Sequence, residues 1–450
     1  MEPKDNSFLS GAILPSLLKF SIPVLLALML QALYGAVDLW AVGKFATTGD
    51  ISAVATGSQA MCIITGLITG LAMGTTVLLG MRVGSQDAAG AAEVVGSSIW
   101  IFGVLGVLLT VSTVLAAPWL ATVTNAPPEA FPQTVRYIRI CGSGSLFIVA
   151  YNVISAVFRG IGDSRSPLFF VLIACVTNII GDVLLIDLCQ LGAAGAAIAT
   201  VAAQAVSVLL SLFLIRRNGL SFPFTARHIR PCCETIRKIL RLGTPIALQS
   251  VCNEISFLIL IGFVNALGAV ASAGVGIAEK LVMFILLIPM SYMQSISAFV
   301  AQNIGAGQPA RARRSMWLGM ATAAALGGMI ACITFFHGDL LATLFVKSSE
   351  AEVIAAAAEF LKATSIECFL LSIAYCFTGY FNGVGRTTFV MMQGLLSTFL
   401  VRIPWAWYAS RRPQPRLFEI GLSAAFAALS VLLLCVGYYL YRSRRDMLPD

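Results

Sequence analysis

The sequence predicts an all-α polytopic membrane protein, with twelve transmembrane helices in two parallel six-helix lobes related by a pseudo-two-fold axis along the membrane normal. Three observations predict it. Of the 450 residues, 58% are hydrophobic and only 11% charged, where soluble domains carry about 25% charged residues. Apolar runs of the length a bilayer demands, about 20 residues, recur along the whole chain between polar connections. The chain also repeats itself. SIPVLLALMLQ at Ser21 matches GTPIALQSVCN at Gly243, MRVGSQDAAGAA at Met81 matches QNIGAGQPARAR at Gln302, and FRGIGDSRSP at Phe158 matches FNGVGRTTFV at Phe381, at offsets of 221 to 223 residues. Six spans return the chain to the side it left, so the two copies lie parallel. Two such halves leave a cleft between them, the arrangement in which one half of a secondary transporter rocks against the other.

The twelve spans are expected in order at Leu14–Val42, Ile51–Gly80, Val94–Ala116, Pro132–Phe158, Pro167–Leu188, Ala193–Ile215, Thr244–Ala266, Val270–Ile304, Ser315–Phe336, Val353–Phe381, Thr387–Ser410 and Glu419–Tyr441. The second, eighth and tenth exceed ~20 residues and are expected to tilt or to extend beyond the bilayer. This divides the chain into an N-terminal lobe (1–220), a basic cytoplasmic linker (221–241) and a C-terminal lobe (242–450). The connections orient it. Arg216, Arg217, Arg227, Arg230, Arg237, Lys238 and Arg241 crowd the sixth connection, Arg311, Arg313 and Arg314 the eighth, and Arg159 and Arg165 the fourth. The third, fifth and seventh connections hold no Lys or Arg. Even connections and both termini are therefore expected in the cytoplasm. Arg411, Arg412 and Arg416 in the eleventh connection run against that pattern.

Composition also excludes. The net charge of +8 sits mainly in short connections, where it orients the chain, so nucleic acid is not an expected partner. The 11 cysteines are scattered through apolar segments without metal-ligand spacing. His228 and His337 both fall in connections, which removes a His-based relay or metal centre. The N-terminus runs straight into a full span, without the pattern of a cleavable signal peptide. Gly160-x-Gly162 and Gly383-x-Gly385 follow long helices and are expected to end them in tight turns. No Walker motif accompanies them, and a nucleotide loop needs a strand before it. No cofactor is expected.

The polar residues inside the spans carry the chemistry. A carboxylate in hydrocarbon costs at least a few kcal/mol, so Asp38 in the first span is a candidate functional residue. The alternative is that it snorkels to the headgroups or caps a neighbouring helix. At about 1.5 Å per residue, Asp182 and Asn178 in the fifth span, Thr200 in the sixth and Tyr137 in the fourth fall in the same outer half of the N-terminal lobe. Two carboxylates, an amide oxygen and a hydroxyl suit a hard-oxygen cation cage. They equally suit a proton site, since two close carboxylates in low dielectric cannot both carry charge cheaply. The C-terminal lobe is different: under the repeat, Asp38 aligns with Leu260 and Glu254 with Ala32. Glu254 lies near mid-membrane in the seventh span. Glu279 and Lys280 are read as a self-compensating pair lining a wet cavity. Met283 and Met290 could line a greasy substrate cleft, although such stripes are more often packing or lipid contact. Arg402 is expected to snorkel or line the cleft.

These residues, the Pro23…Asp38-x4-Gly43 pattern, the RVG and QNIGAG segments and Gly160-x-Gly162-Asp163 together make the whole chain resemble the multidrug and toxic compound extrusion (MATE) family, closest to its DNA-damage-inducible branch. The resemblance implies cation-driven export of amphipathic, often cationic, drugs and dyes by a bacterial inner-membrane antiporter that is not an enzyme and is expected to be a monomer. Its partners are then small amphipathic molecules and the lipid bilayer, and its coupling ion H⁺ or Na⁺. By the same resemblance Asp38, Asn178, Asp182 and Thr200 form the coupling site, with Tyr137 and Asn152 as further polar members. Other members of the family pair a Glu in the seventh helix with an Asp in the tenth. Glu254 resembles the first, but CFLLSIAYCFTGYFNG in the tenth span shows no Asp. The nearest rival reading is a flippase for lipid-linked saccharides or other amphiphilic lipids. That would favour a strongly cationic cleft, to which spans one, two, seven and eight offer only Lys280 beyond Lys19 near the start of the first span. A lipid-active membrane enzyme would need a His/Asp/Glu constellation that the sequence lacks.

Overall fold

The structure is a computed structural model that describes residues 8–346 and 350–445. It is all-helical among the described residues, with 11 helices long and apolar enough to cross a membrane and a twelfth span in two bent pieces. We number the spans α1 (Ile13–Phe45), α2 (Thr48–Gly84), α3 (Ala88–Val123), α4 (Phe131–Ser143 and Ser145–Gly160), α5 (Arg165–Leu188), α6 (Gly192–Asn218), α7 (Cys233–Asn265), α8 (Ala269–Gly305), α9 (Pro309–Phe336), α10 (Ala351–Gly383), α11 (Thr387–Ser410) and α12 (Leu417–Arg445).

Local chemistry starts these helices where they start. Thr47 and Asp50 form a reciprocal capping box before α2, which satisfies two backbone donors at once. Asp87 accepts the Gly90 N–H at 2.8 Å and the Arg82 guanidinium at 2.8 Å, turning the chain from α2 into α3. In the repeated turns, Gly162 and Gly385 take φ of 86° and 83°, a left-handed conformation that glycine adopts freely. The Gly-x-Gly segments thus end helices in tight turns.

The structure departs from the sequence reading in three places. The fourth span bends by 51° at Gly144, where a residue with low helix propensity interrupts the run. The seventh helix begins at Cys233, inside the segment expected as linker, because polar residues continue a helix beyond the bilayer as well as apolar ones. α5 and α11 each widen into a π-helical stretch, Val183–Leu188 and Thr398–Arg402.

The chain forms two compact units. The first holds residues 8–10, Ile22–Ala247 and Gly305–Gly307; the second holds Gly11–Ser21, Leu248–Ile304 and the chain from Gln308. The N-terminal part of α1 therefore belongs with the second unit, where Leu17 packs on Gly319 and Arg311 Nη1 donates to the Gly11 carbonyl at 2.9 Å. The boundaries fall within a turn of Pro23 in α1 and Pro245 in α7. Each proline removes a backbone hydrogen bond from the helix interior.

Candidate functional site

In the first unit, α1, α5 and α6 bring four of the candidates together. Thr200 Oγ1 donates to Asp38 Oδ2 at 3.1 Å, and Asn178 Nδ2 donates to Thr200 Oγ1 at 3.5 Å. Asn178 and Asp182 also interact directly with Asp38. Asn178 and Asp182 are one turn apart, so they share a helix face, and Asp182 immediately precedes the π-helical stretch. Such stretches recur at functional sites because they re-aim side chains out of the regular ladder. Tyr137, almost fully buried on α4, lies within electrostatic reach of Asp38.

The burial is severe. Asp38 is 5% exposed, Asn178 1% and Asp182 0%. Four oxygens here have no hydrogen-bond partner among the described residues: Asp38 Oδ1, both carboxylate oxygens of Asp182, and Asn178 Oδ1. A buried acceptor left unpaired costs about 1–3 kcal/mol, and more when charged. Among the described residues no Lys or Arg forms an ion pair with either carboxylate. The set is thus rich in acceptors and carries no basic side chain of its own. It suits a proton shared between the carboxylates or a hard monovalent cation on oxygen ligands.

Asn152 hydrogen-bonds between α4 and α2. Thr69 Oγ1 donates to its Oδ1 at 3.1 Å and its Nδ2 donates to the Ile148 carbonyl at 2.8 Å, so it ties α4 to α2. Tyr34 and Gln204 escaped the sequence reading. Gln204 Nε2 donates to the Tyr34 hydroxyl at 3.4 Å, and Tyr34 lies within electrostatic reach of Asp38. Each is one helical turn from a named site residue, Asp38 and Thr200, and that spacing was the available signal.

The second unit assembles a different cluster. Glu254 on α7, Glu279 on α8 and Glu367 on α10 all lie within electrostatic reach of Arg402, at the end of the π-helical stretch of α11. Tyr375 shares that environment, and Thr398 Oγ1 donates to Asn253 Oδ1 at 3.2 Å nearby. Arg402 is half-buried, with its Nε buried and unpartnered among the described residues. The expected Glu279–Lys280 pair does not form. Lys280 is exposed and the charge opposite Glu279 is Arg402, because adjacent residues on a helix do not face each other. Met283 and Met290 are exposed. No group of three or more His, Cys, Asp or Glu side chains close enough to hold a metal ion occurs among the described residues.

Comparison with known proteins places both units. The family model described as MatE matches residues 23–184 and 245–408. The chain belongs to the MatE family. It is 27% identical over 442 residues to "Probable multidrug resistance protein YpnP" of Bacillus subtilis (strain 168), covering 98% of each chain. It is 25% identical over 393 residues to "Multidrug export protein MepA" of Staphylococcus saprophyticus, covering 86% of each. Among solved structures it matches an outward-facing MATE family transporter of the MOP superfamily with a TM-score of 0.90 and 20% identity, over 99% of this chain and 98% of that one. A MOP superfamily transporter from Pyrococcus furiosus, whose description reports a binding pocket of reversed polarity, matches with a TM-score of 0.90 at 20% identity. The fold is therefore that of a MATE transporter, and this MatE protein is a multi-pass membrane transporter and no enzyme.

One close helix crossing carries the MatE chain's first-unit site. A Cβ added at Gly181 would lie 2.9 Å from Ala199 Cβ, where α5 and α6 hold Asn178 and Asp182 against Thr200. Gly181→Val is expected to cost about 1–3 kcal/mol by overpacking and to lower transport by parting Asn178 from Thr200. Thermal unfolding and dye efflux measure the two effects. Wild-type values in both would show that this crossing does not set the site.

Proposed function

We propose that this protein is a secondary antiporter of a bacterial inner (cell) membrane. It exports amphipathic, often cationic, organic compounds in exchange for H⁺ or Na⁺, through alternating access of two lobes about a central cleft, with both termini cytoplasmic. The observation that carries the reading is the set of four buried oxygens on Asp38, Asn178 and Asp182 that have no hydrogen-bond partner among the described residues, with Thr200 bridging Asn178 and Asp38. Such a site gains most from a small cation and exchanges it as one lobe opens. Antiport then needs cation and drug to favour opposite states, since a ligand moves an equilibrium only through its differential affinity. Glu254, Glu279 and Glu367 outnumber Arg402 in their cluster, and local negative charge attracts cationic substrates, with Lys280, Met283 and Met290 as further cleft residues. Relatives named for multidrug resistance and export support the substrate class.

The test is dye efflux from proteoliposomes under separately imposed H⁺ and Na⁺ gradients. Efflux is expected under one gradient and not without it. Transport indifferent to both would refute the antiport reading, and saccharide-lipid translocation under the same conditions would establish the flippase alternative.

A further inference from the structure

The second unit contains a small cavity of about 70 Å³ where α9, α10, α11 and α12 end on one face. Arg313, Arg386 and Arg442 line it together with Tyr380, Tyr438 and Tyr439. Nothing in the transport reading uses it. We propose that this cavity is a binding site for the phosphate of an anionic phospholipid headgroup.

Charge argues first. Arg313 and Arg386 are exposed, and neither forms an ion pair among the described residues. Guanidinium forks match phosphate oxygens two at a time, and an anion between these arginines removes their mutual repulsion. Size argues next. Drug-sized pockets run to about 300–1,000 Å³, so about 70 Å³ admits a compact anion and excludes the transported compounds. The walls are rigid. Tyr438 stacks on Phe389 with centroids 3.9 Å apart, and Tyr439 packs edge-on to Trp317 and Phe377 at 5.7 and 5.8 Å.

Location selects the lipid over free phosphate. Tyr and Trp concentrate at the membrane–water boundary, and basic pockets between helices on the cytoplasmic side take anionic headgroups. The cavity sits at the ends of four spans, on the face to which the basic connections belong. The internal repeat supplies a contrast. At the start of α5, Asp163 Oδ1 accepts the N–H groups of Arg165 and Ser166 at 2.9 and 3.1 Å. At the equivalent start of α11 stands Arg386, whose side chain makes no capping hydrogen bond. The first unit carries its own anion in that turn. The second presents cations and draws the anion from the bilayer.

The experiment uses the purified, delipidated full-length protein, with retained lipid counted by native mass spectrometry and the unfolding midpoint recorded. Phosphatidylglycerol is expected to be retained and to raise the midpoint, while phosphatidylcholine and inorganic phosphate do neither. Arg313→Gln with Arg386→Gln is expected to weaken phosphatidylglycerol binding about thirtyfold, as two surface arginines should, leaving phosphatidylcholine unaffected. Retention on the wild-type protein is expected to fall as salt rises, a readout that does not depend on the variant folding. Equal retention of the two lipids, unchanged retention by the folded variant, or salt-indifferent retention would each overturn the proposal. Protection by inorganic phosphate alone would assign the cavity to a free anion and overturn the lipid reading.

Discussion

Asp38→Asn is expected to lower gradient-driven efflux on the order of 100-fold, the upper range for coupling between two sites, while dye binding to the purified protein stays within a few-fold of wild type. Asp182→Asn is expected to do the same. The amide keeps the size of the carboxyl, and at position 38 its oxygen still accepts from Thr200 Oγ1, which donates to Asp38 Oδ2 at 3.1 Å. What it removes is the negative charge that a proton or Na⁺ would neutralise. The protein then holds the neutral form permanently, and the gradient has nothing to act on. Asn178→Ala should weaken coupling more than Thr200→Ala. Asn178 is 1% exposed while Thr200 is only half-buried, so water replaces the hydroxyl more readily than the amide. The paired measurement is dye efflux in cells and dye binding in detergent. If both Asp→Asn variants export at wild-type rates, the first-unit site does not couple transport.

How far the sequence leads depends on what each feature requires. Asp38, Asn178, Asp182 and Thr200 were legible because intramembrane polar groups are costly and helical rise converts position into depth. Their hydrogen bonds were not, since depth says nothing of rotation about each helix axis. Asn152 shows the difference, being bound to Thr69 on α2. The π-helical stretches after Asp182 and up to Arg402 leave no mark in hydrophobic periodicity, because one inserted residue shifts the apolar face by less than a run of Val, Leu and Ile can register. Glu367 was legible and missed. It immediately precedes CFLLSIAYCFTGYFNG, and the intramembrane cost of a carboxylate alone marks it as a candidate.

Glu367 also makes the second unit open to a thermodynamic test. Glu254, Glu279 and Glu367 share one cation, Arg402. With all three acids ionised, three negative charges against one positive leave −2 in the cluster, so Arg402 lowers the energy of several neighbours at once. Breaking a fully buried pair costs about 3–5 kcal/mol. These groups are half-buried, so Arg402→Leu is expected to cost about 2–4 kcal/mol. Adding Glu367→Gln to Arg402→Leu should recover part of that loss, with a coupling energy of about 0.5–3 kcal/mol. The measurement is a double-mutant cycle of unfolding in detergent, repeated with Glu254→Gln and Glu279→Gln to rank the acids that Arg402 balances. Additive effects in all three cycles would mean that these charges do not act on one another. Transport separates this cluster from the coupling site. Because Arg402 already supplies a tethered cation, Glu254→Gln is expected to reduce efflux of cationic substrates while cation-coupled transport stays measurable. Loss of coupling for every substrate, in a variant that folds and expresses normally, would move the coupling site into the second unit and away from Asp38.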